Sequence, residues 1–157
     1  MTSTVQNQPV LGTAAEVELA TFYAADLLLG IPIHEVEEIS RSCAVTPVPG
    51  APASVCGVMS LRGEVVTVLD LRVVIGLGKT ECTKQTRNVI VHAGGERIGL
   101  LVDRVADVVR AATADLLPPP ANMNGAESTM FRAVCRMESE LLVLVDVAAV
   151  TAIAETA

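Results

Sequence analysis

The pattern Gly30-Ile31-x-Ile33-x-x-Val36-x-x-Ile39 returns as Gly99-Leu100-x-Val102-x-x-Val105-x-x-Val108, 69 residues further along the chain. An internal repeat constrains a fold severely, because each copy builds the same local unit and buries its apolar side against its neighbour. Prolines follow in both copies, at Pro47–Pro52 and at Pro118–Pro120. Each copy then closes with an apolar segment that runs into an aspartate. These are Val68-Leu69-Asp70-Leu71 and Leu144-Val145-Asp146-Val147, 76 residues apart, so the later copy is longer, most simply within Ala121–Met130.

The most informative stretch of the first copy is Gly57–Arg72, GVMSLRGEVVTVLDLR. Its β-branched density, broken at Arg62-Gly63-Glu64, predicts strand, tight turn, strand. Asp70 is placed to cap a short helix, Leu71–Ile75, which Gly76 ends. Backbone geometry explains the turn glycine. It does not explain Arg62, the only charge between Arg41 and Glu64, whose counterpart in the second copy is Glu138-Ser139. A residue present in one copy only is what a binding site grafted onto a repeat looks like.

Further strands are expected at Val17–Ala24 and Leu27–Ile33 around Ala25-Asp26, and at Asn88–Ala93 and Arg97–Val102 around Gly94-Gly95. A last pair, Phe131–Met137 and Leu141–Val145, precedes a helix over about Asp146–Ala154. His34–Ile39 reads as a short helical or irregular segment, Val45–Pro52 as an extended connection or edge strand, and Gly78–Gln85 as a linker. The fold class is therefore mainly β: two pseudo-symmetric five-stranded β-barrels with short helices. The repeats cover about 17–78 and 86–154 of one domain, 16–157, with intertwined halves, after a flexible tail over 1–15.

Function is narrowed first by exclusion. A net charge of −7 with scattered basic residues argues against nucleic-acid binding. The start of the chain has no basic-then-apolar signal-peptide pattern, and the longest apolar stretch, Leu141–Ala154, is too short to span a bilayer and is interrupted by Asp146. The four cysteines have no paired or metal-ligand spacing, which fits a reduced cytoplasmic protein. No nucleophile, base or ligand set clusters, so neither enzymatic activity nor a metal or cofactor is expected. What remains is binding: Val36 and Val65 as an apolar groove edged by Glu38 and Arg62, set against Val36 and Val65 as core with Arg62 a solvated turn residue. A small ligand-binding barrel or enzyme is the remaining alternative, which a pocket with convergent polar groups would support.

The chain resembles the CheW-like coupling proteins of bacterial chemotaxis. The resemblance is carried by Phe22, Gly30-Ile31, Val36-x-Glu38-Ile39, Pro47-x-Pro49, Pro52, Gly57-Val58, Leu61-Arg62-Gly63, Asp70-Leu71-Arg72, Val102-Asp103-x-Val105 and Pro118–Pro120. It covers roughly Glu18 to Ile153, with Ser60 standing where the family usually has Asn. It implies a fold of two SH3-like barrels and a non-catalytic adaptor or scaffold in signal transduction. The implied partners are a chemoreceptor's cytoplasmic tip and the regulatory domain of a CheA-type histidine kinase, in the cytoplasm at membrane receptor arrays and without membrane insertion. By residue match, Val36, Glu38, Gly57 and Arg62, with Val65 beside them, fall at receptor- and kinase-binding surfaces. A second kinase contact is implied at Leu117, Pro118 and Pro120. An adaptor of a pilus-motility or surface-sensing pathway is the alternative within the family.

Overall fold

The computed structural model describes residues 15–41, 44–120 and 128–156. The expected tail lies outside these residues, apart from Ala15, and so does most of the segment in which the second copy was expected to be longer. Ten strands form: β1 (Glu16–Ala24), β2 (Leu27–Pro32), β3 (Val36–Ser40), β4 (Val55–Leu61), β5 (Glu64–Asp70), β6 (Arg87–Ala93), β7 (Glu96–Val102), β8 (Arg104–Ala112), β9 (Phe131–Arg136) and β10 (Leu141–Val145). Helix α1 (Leu71–Val74) follows β5, and α2 (Val147–Thr156) follows β10. The strands build two five-stranded mixed sheets, ordered β8-β1-β2-β10-β9 and β3-β6-β7-β5-β4.

The repeat is written into the register. Thr21 pairs with Gly30 as Ile90 pairs with Gly99. Gly30 also meets Leu144 across a parallel pair, as Gly99 meets Val68. Even the irregularities recur. The Val55/Gly57 shift against β5 is matched by a shift of Phe131/Ala133 against β10. Each sheet takes strands from both copies, because the chain crosses between sheets after β2 and again after β7.

The expected pair of closed barrels is not found. Each sheet is open: β3 pairs only with β6, β4 only with β5, β8 only with β1 and β9 only with β10 among the described strands. The connections explain why. Proline has no N–H to donate, and Pro47, Pro49 and Pro52, or Pro118–Pro120, occupy the chain that runs between the outer strands of a sheet. Each connection manages one isolated bridge, Thr46 to Val58 and Leu117 to Val134, where a closing ladder needs a continuous run.

Two strands differ from the sequence reading for a common reason. Val36 and Ile39, like Val105 and Val108, are spaced by three, which suggests a helical turn rather than strand alternation. Yet β3 and β8 are both strands. Each has a register shift, between Val36 and Glu38 and between Val105 and Val108, and the extra residue moves the apolar spacing from two to three. The only helical part of His34–Ile39 is a single 3-10 turn over Ile33–Glu35.

With so few aromatics the interior is aliphatic. The main core draws on both sheets and both helices, with Phe22, Leu29, Leu100, Leu71 and Val147 among its buried members. A smaller cluster lies against each sheet, around Leu19, Leu142 and Leu144 in one and Met59, Val66 and Val68 in the other. β5 is held from both sides, since Val66 and Val68 enter the smaller cluster while Leu69 enters the main core. Burying a side chain of this size contributes about 1.5–3 kcal/mol, so this strand is a rigid base for the turn that precedes it.

Candidate surface at the β4–β5 turn

The β4–β5 hairpin closes with Arg62 and Gly63 between the paired residues Leu61 and Glu64. Their φ angles are +50° and +82°, the pair of positive values a two-residue primed turn requires. Gly63 adopts this without strain. Arg62 is an L-residue in left-handed backbone, a conformation that costs about 1–2 kcal/mol. Its side chain is 69% exposed and places Nη2 3.1 Å from Glu38 Oε1. That oxygen is shielded from solvent and has no aligned hydrogen bond, so the guanidinium is its charge partner. The pair spans the two open edges of its sheet, β3 on one side and the β4–β5 turn on the other. With Arg62 this exposed, it contributes no more than about 0.5 kcal/mol to folding.

Val65 lies immediately beyond the turn and is 75% exposed, the most exposed large aliphatic among the described residues. It lines a shallow cleft with Glu64, Thr67, His92 and Arg97. A row of polar and charged side chains crosses four neighbouring strands beside it. Glu37 of β3 faces His92 of β6 at 3.6 Å and Arg97 of β7 at 3.5 Å, and Arg97 also pairs with Glu64 of β5. This ladder was not visible in the sequence, where Glu37 looks like part of a solvated face. Its members are far apart in the chain, and only strand order makes them neighbours.

The expected site residues separate into two kinds. Glu38 and Arg62 meet on the surface, and Val65 is exposed just beyond the turn in a cleft that neither of them lines. Val36 does not join them, because it is half-buried and packs against the main core. Gly57 is buried for a backbone reason. Its φ is +147°, and a Cβ there would stand 2.1 Å from the Thr46 carbonyl oxygen, so glycine is what lets the proline-rich connection lie on β4. Its contribution to the surface is to seat that connection. In the second copy Leu117 is 52% exposed beside exposed Pro118 and Pro120.

Two further side-chain clusters bind the architecture together. Arg72 of α1 grips Asp103 with two bonds, Nε to Oδ2 at 2.8 Å and Nη2 to Oδ1 at 3.1 Å, while Asp103 Oδ2 accepts from the Ala25 amide at 2.6 Å. The carboxylate holds the Arg72 guanidinium above its ordinary pKa and joins the β1–β2 turn, the β7–β8 crossover and α1. On the other sheet, Arg104 lies 3.8 Å over the Tyr23 ring, and the Tyr23 hydroxyl donates to Glu140 Oε2 at 2.7 Å. That hydrogen bond to a carboxylate raises the Tyr23 pKa. Among the described residues, no three His, Cys, Asp or Glu side chains gather in a way that would hold a metal ion.

Residues 18–155 match the CheW-like domain family. The chain is 34% identical to Protein FrzA of Myxococcus xanthus over 119 residues, which is 76% of this chain and 74% of that protein. It is 32% identical to the chemotaxis protein CheW of Rhizobium meliloti over 129 residues, 82% of this chain and 83% of the relative. Among solved structures, the scaffolding protein TtCheW from Thermoanaerobacter tengcongensis superposes with a TM-score of 0.81 at 24% identity, covering 92% of this chain and 93% of that one, a likeness of fold.

Proposed function

This chain belongs to the CheW-like family, and from that membership we infer that it is a non-catalytic scaffold coupling chemoreceptors to a CheA-type histidine kinase in chemotaxis. Its relatives are named as chemotaxis proteins and, in one solved structure, as a scaffolding protein. No described helix is long and apolar enough to cross a membrane; the place of the chain, in this reading, is at receptor arrays in the cytoplasm.

Receptor contact is assigned to the β4–β5 turn. A single observation carries this reading: Arg62 occupies left-handed backbone that glycine would fill at lower cost, and holds an exposed guanidinium beside exposed Val65. Backbone strain kept at an exposed tip is typical of a functional position. Arginine also suits an interface anchor, since its fork binds a carboxylate or carbonyls while its stem covers apolar surface. Glu38 orients it, and Val65 supplies the apolar part of the contact. Kinase contact is assigned in part to Leu117, Pro118 and Pro120, where an exposed leucine is held by a stiff backbone.

The test is Arg62→Ala. The variant should unfold within about 0.5 kcal/mol of the parent, while affinity for the receptor tip falls by about 2 kcal/mol, roughly 30-fold. Titration calorimetry against a receptor cytoplasmic fragment reads this directly. Parental affinity in a well-folded variant ends the assignment of Arg62. A charge placed at Leu117 should instead weaken kinase binding and leave the receptor titration intact.

A further inference from the structure

The second copy places a hairpin of the same length at the equivalent position, with the charge inverted and without the left-handed backbone of Arg62. Glu138-Ser139 stands where the first copy has Arg62-Gly63, and Asp107 stands where it has Glu38. In the first copy acid and base satisfy one another across the open sheet. In the second, both positions are acids, both are exposed, and neither has an ion-pair partner among the described residues. Beside this tip lies a cleft lined by Ala114, Asp115, Leu117, Arg136, Met137 and Glu138. Its apolar part is Leu117, 52% exposed, with half-buried Met137, and its two acids outnumber its one base.

We propose that this cleft receives an aliphatic side chain flanked by an arginine or lysine, presented by the kinase. The proposal rests on the assignment of Leu117–Pro120 as a kinase contact and names the chemistry of what docks there. Where the first copy supplies its own arginine to its own acid, the second leaves that place to the partner. Covering Asp115 and Glu138 with a neutral or acidic surface strips water from carboxylates with no compensation, which is costly. A basic side chain entering the cleft brings a charge opposite to both lining carboxylates, which offsets that cost. The same acids repel an acidic segment, which gives the cleft selectivity as well as affinity.

The experiment titrates the full chain against a full-length CheA-type kinase from the same organism, at low and at high salt. It compares the parent with the double variant Asp115→Lys/Glu138→Lys, with Arg136→Glu and with Leu117→Ser. All four positions are exposed, and thermal melts check that each variant folds. The double reversal should weaken binding about tenfold at low salt and flatten its salt dependence, as expected when a complementary charge is lost. Arg136→Glu should bind as the parent or more tightly, and Leu117→Ser should bind more weakly. If Leu117→Ser weakens binding but the double reversal leaves it unchanged or tightens it, the kinase docks here without a basic side chain and the proposal falls alone. If Leu117→Ser also binds like the parent, the kinase contact itself is misplaced and both readings fall. Loss of affinity in Arg136→Glu overturns the proposed polarity. Sedimentation of the chain without kinase should show no association that the double reversal abolishes; such an association would make a second copy of this chain the occupant and overturn the proposal.

Discussion

The two hairpin tips, Leu61-Arg62-Gly63-Glu64 and Met137-Glu138-Ser139-Glu140, hold the same place in the two copies, yet they differ in chemistry and in the backbone of the turn itself. Each is followed by an exposed aliphatic, Val65 at 75% and Leu141 at 42%. The pairing around them matches: Leu61 faces Glu64, and the Met137 amide donates to the Glu140 carbonyl at 2.8 Å. What the copies share is what the fold requires, namely register, bulges, capping aspartates and an apolar position after the turn. What they do not share is charge. Arg62 with Glu38 makes one tip self-paired, while Glu138 with Asp107 makes the other acidic and open. A duplicated scaffold can therefore present two tips of different charge, and the left-handed backbone of Arg62 has no counterpart at Glu138.

The largest effect should come from Gly57 and its counterpart Ala133. Gly57 lies at φ +147° with the Thr46 carbonyl oxygen 2.1 Å from where its Cβ would be. Ala133 sits at the equivalent shift with a side chain in place, buried in the smaller cluster of its sheet. Gly57→Ala should therefore destabilise by about 3 kcal/mol or more, as for other changes that force backbone to move. Ala133→Gly should cost only about 0.5–1 kcal/mol, the usual penalty of glycine in a strand. Urea denaturation of the two variants measures the contrast directly, and equal losses would mean that the two connections do not differ in how closely they lie on the sheet.

A second contrast concerns the capping aspartates. Both hold the N-terminus of the helix that follows, but in different surroundings. Asp70 is buried and accepts from the Arg72 amide at 3.1 Å, the Thr80 amide at 2.9 Å and the Thr80 hydroxyl at 2.6 Å. Asp146 is partly exposed and accepts from the Ala149 amide at 3.2 Å, with Arg132 Nε 4.0 Å away. Asp70→Ala leaves the buried Thr80 amide and hydroxyl and the part-buried Arg72 amide without their acceptor, for about 2–3 kcal/mol. Asp146→Ala removes a cap alone, for about 1 kcal/mol. The difference is read from paired thermal melts, and hydrogen exchange at Thr80 should rise in the first variant only.

These contrasts also mark what the sequence could reveal. The repeat offset, the hairpins, the two caps and the isolation of Arg62 are local patterns, and spacing alone exposes them. β3 and β8 were hidden because a bulge changes the period by one residue, and it did so at the same place in both copies. The expected barrels failed at the proline connections, where the decisive quantity is a missing run of donors between strands distant in sequence. The Glu37–Arg97–Glu64 ladder and the Arg72–Asp103 clamp depend on strand order in the same way. Val36, which residue match places at a partner surface, is half-buried against the main core. The register shift between it and Glu38 turns Val36 into the core and leaves Glu38 to meet Arg62.

The smallest effect is also the most diagnostic for the first tip. The molecule contains its own reference turn, Gly94-Gly95 between Ala93 and Glu96, with φ values of +59° and +82°. There, glycine fills both positions. At the β4–β5 tip arginine takes the first. Arg62→Gly removes a left-handed L-residue, a gain of about 1–2 kcal/mol. It loses an exposed ion pair worth about 0.5 kcal/mol and frees the unfolded chain, which offsets part of the gain. The net expectation is a stabilisation of about 0.5 kcal/mol, measurable as a shift in the urea midpoint with an unchanged slope. Receptor binding should fall as far as in Arg62→Ala, because both variants lack the guanidinium. A variant that is at once more stable and less able to bind shows that Arg62 is held against the preference of the fold. If Arg62→Gly proves less stable than the parent, the arginine stabilises its own turn, and the contrast with Glu138 becomes a matter of local folding.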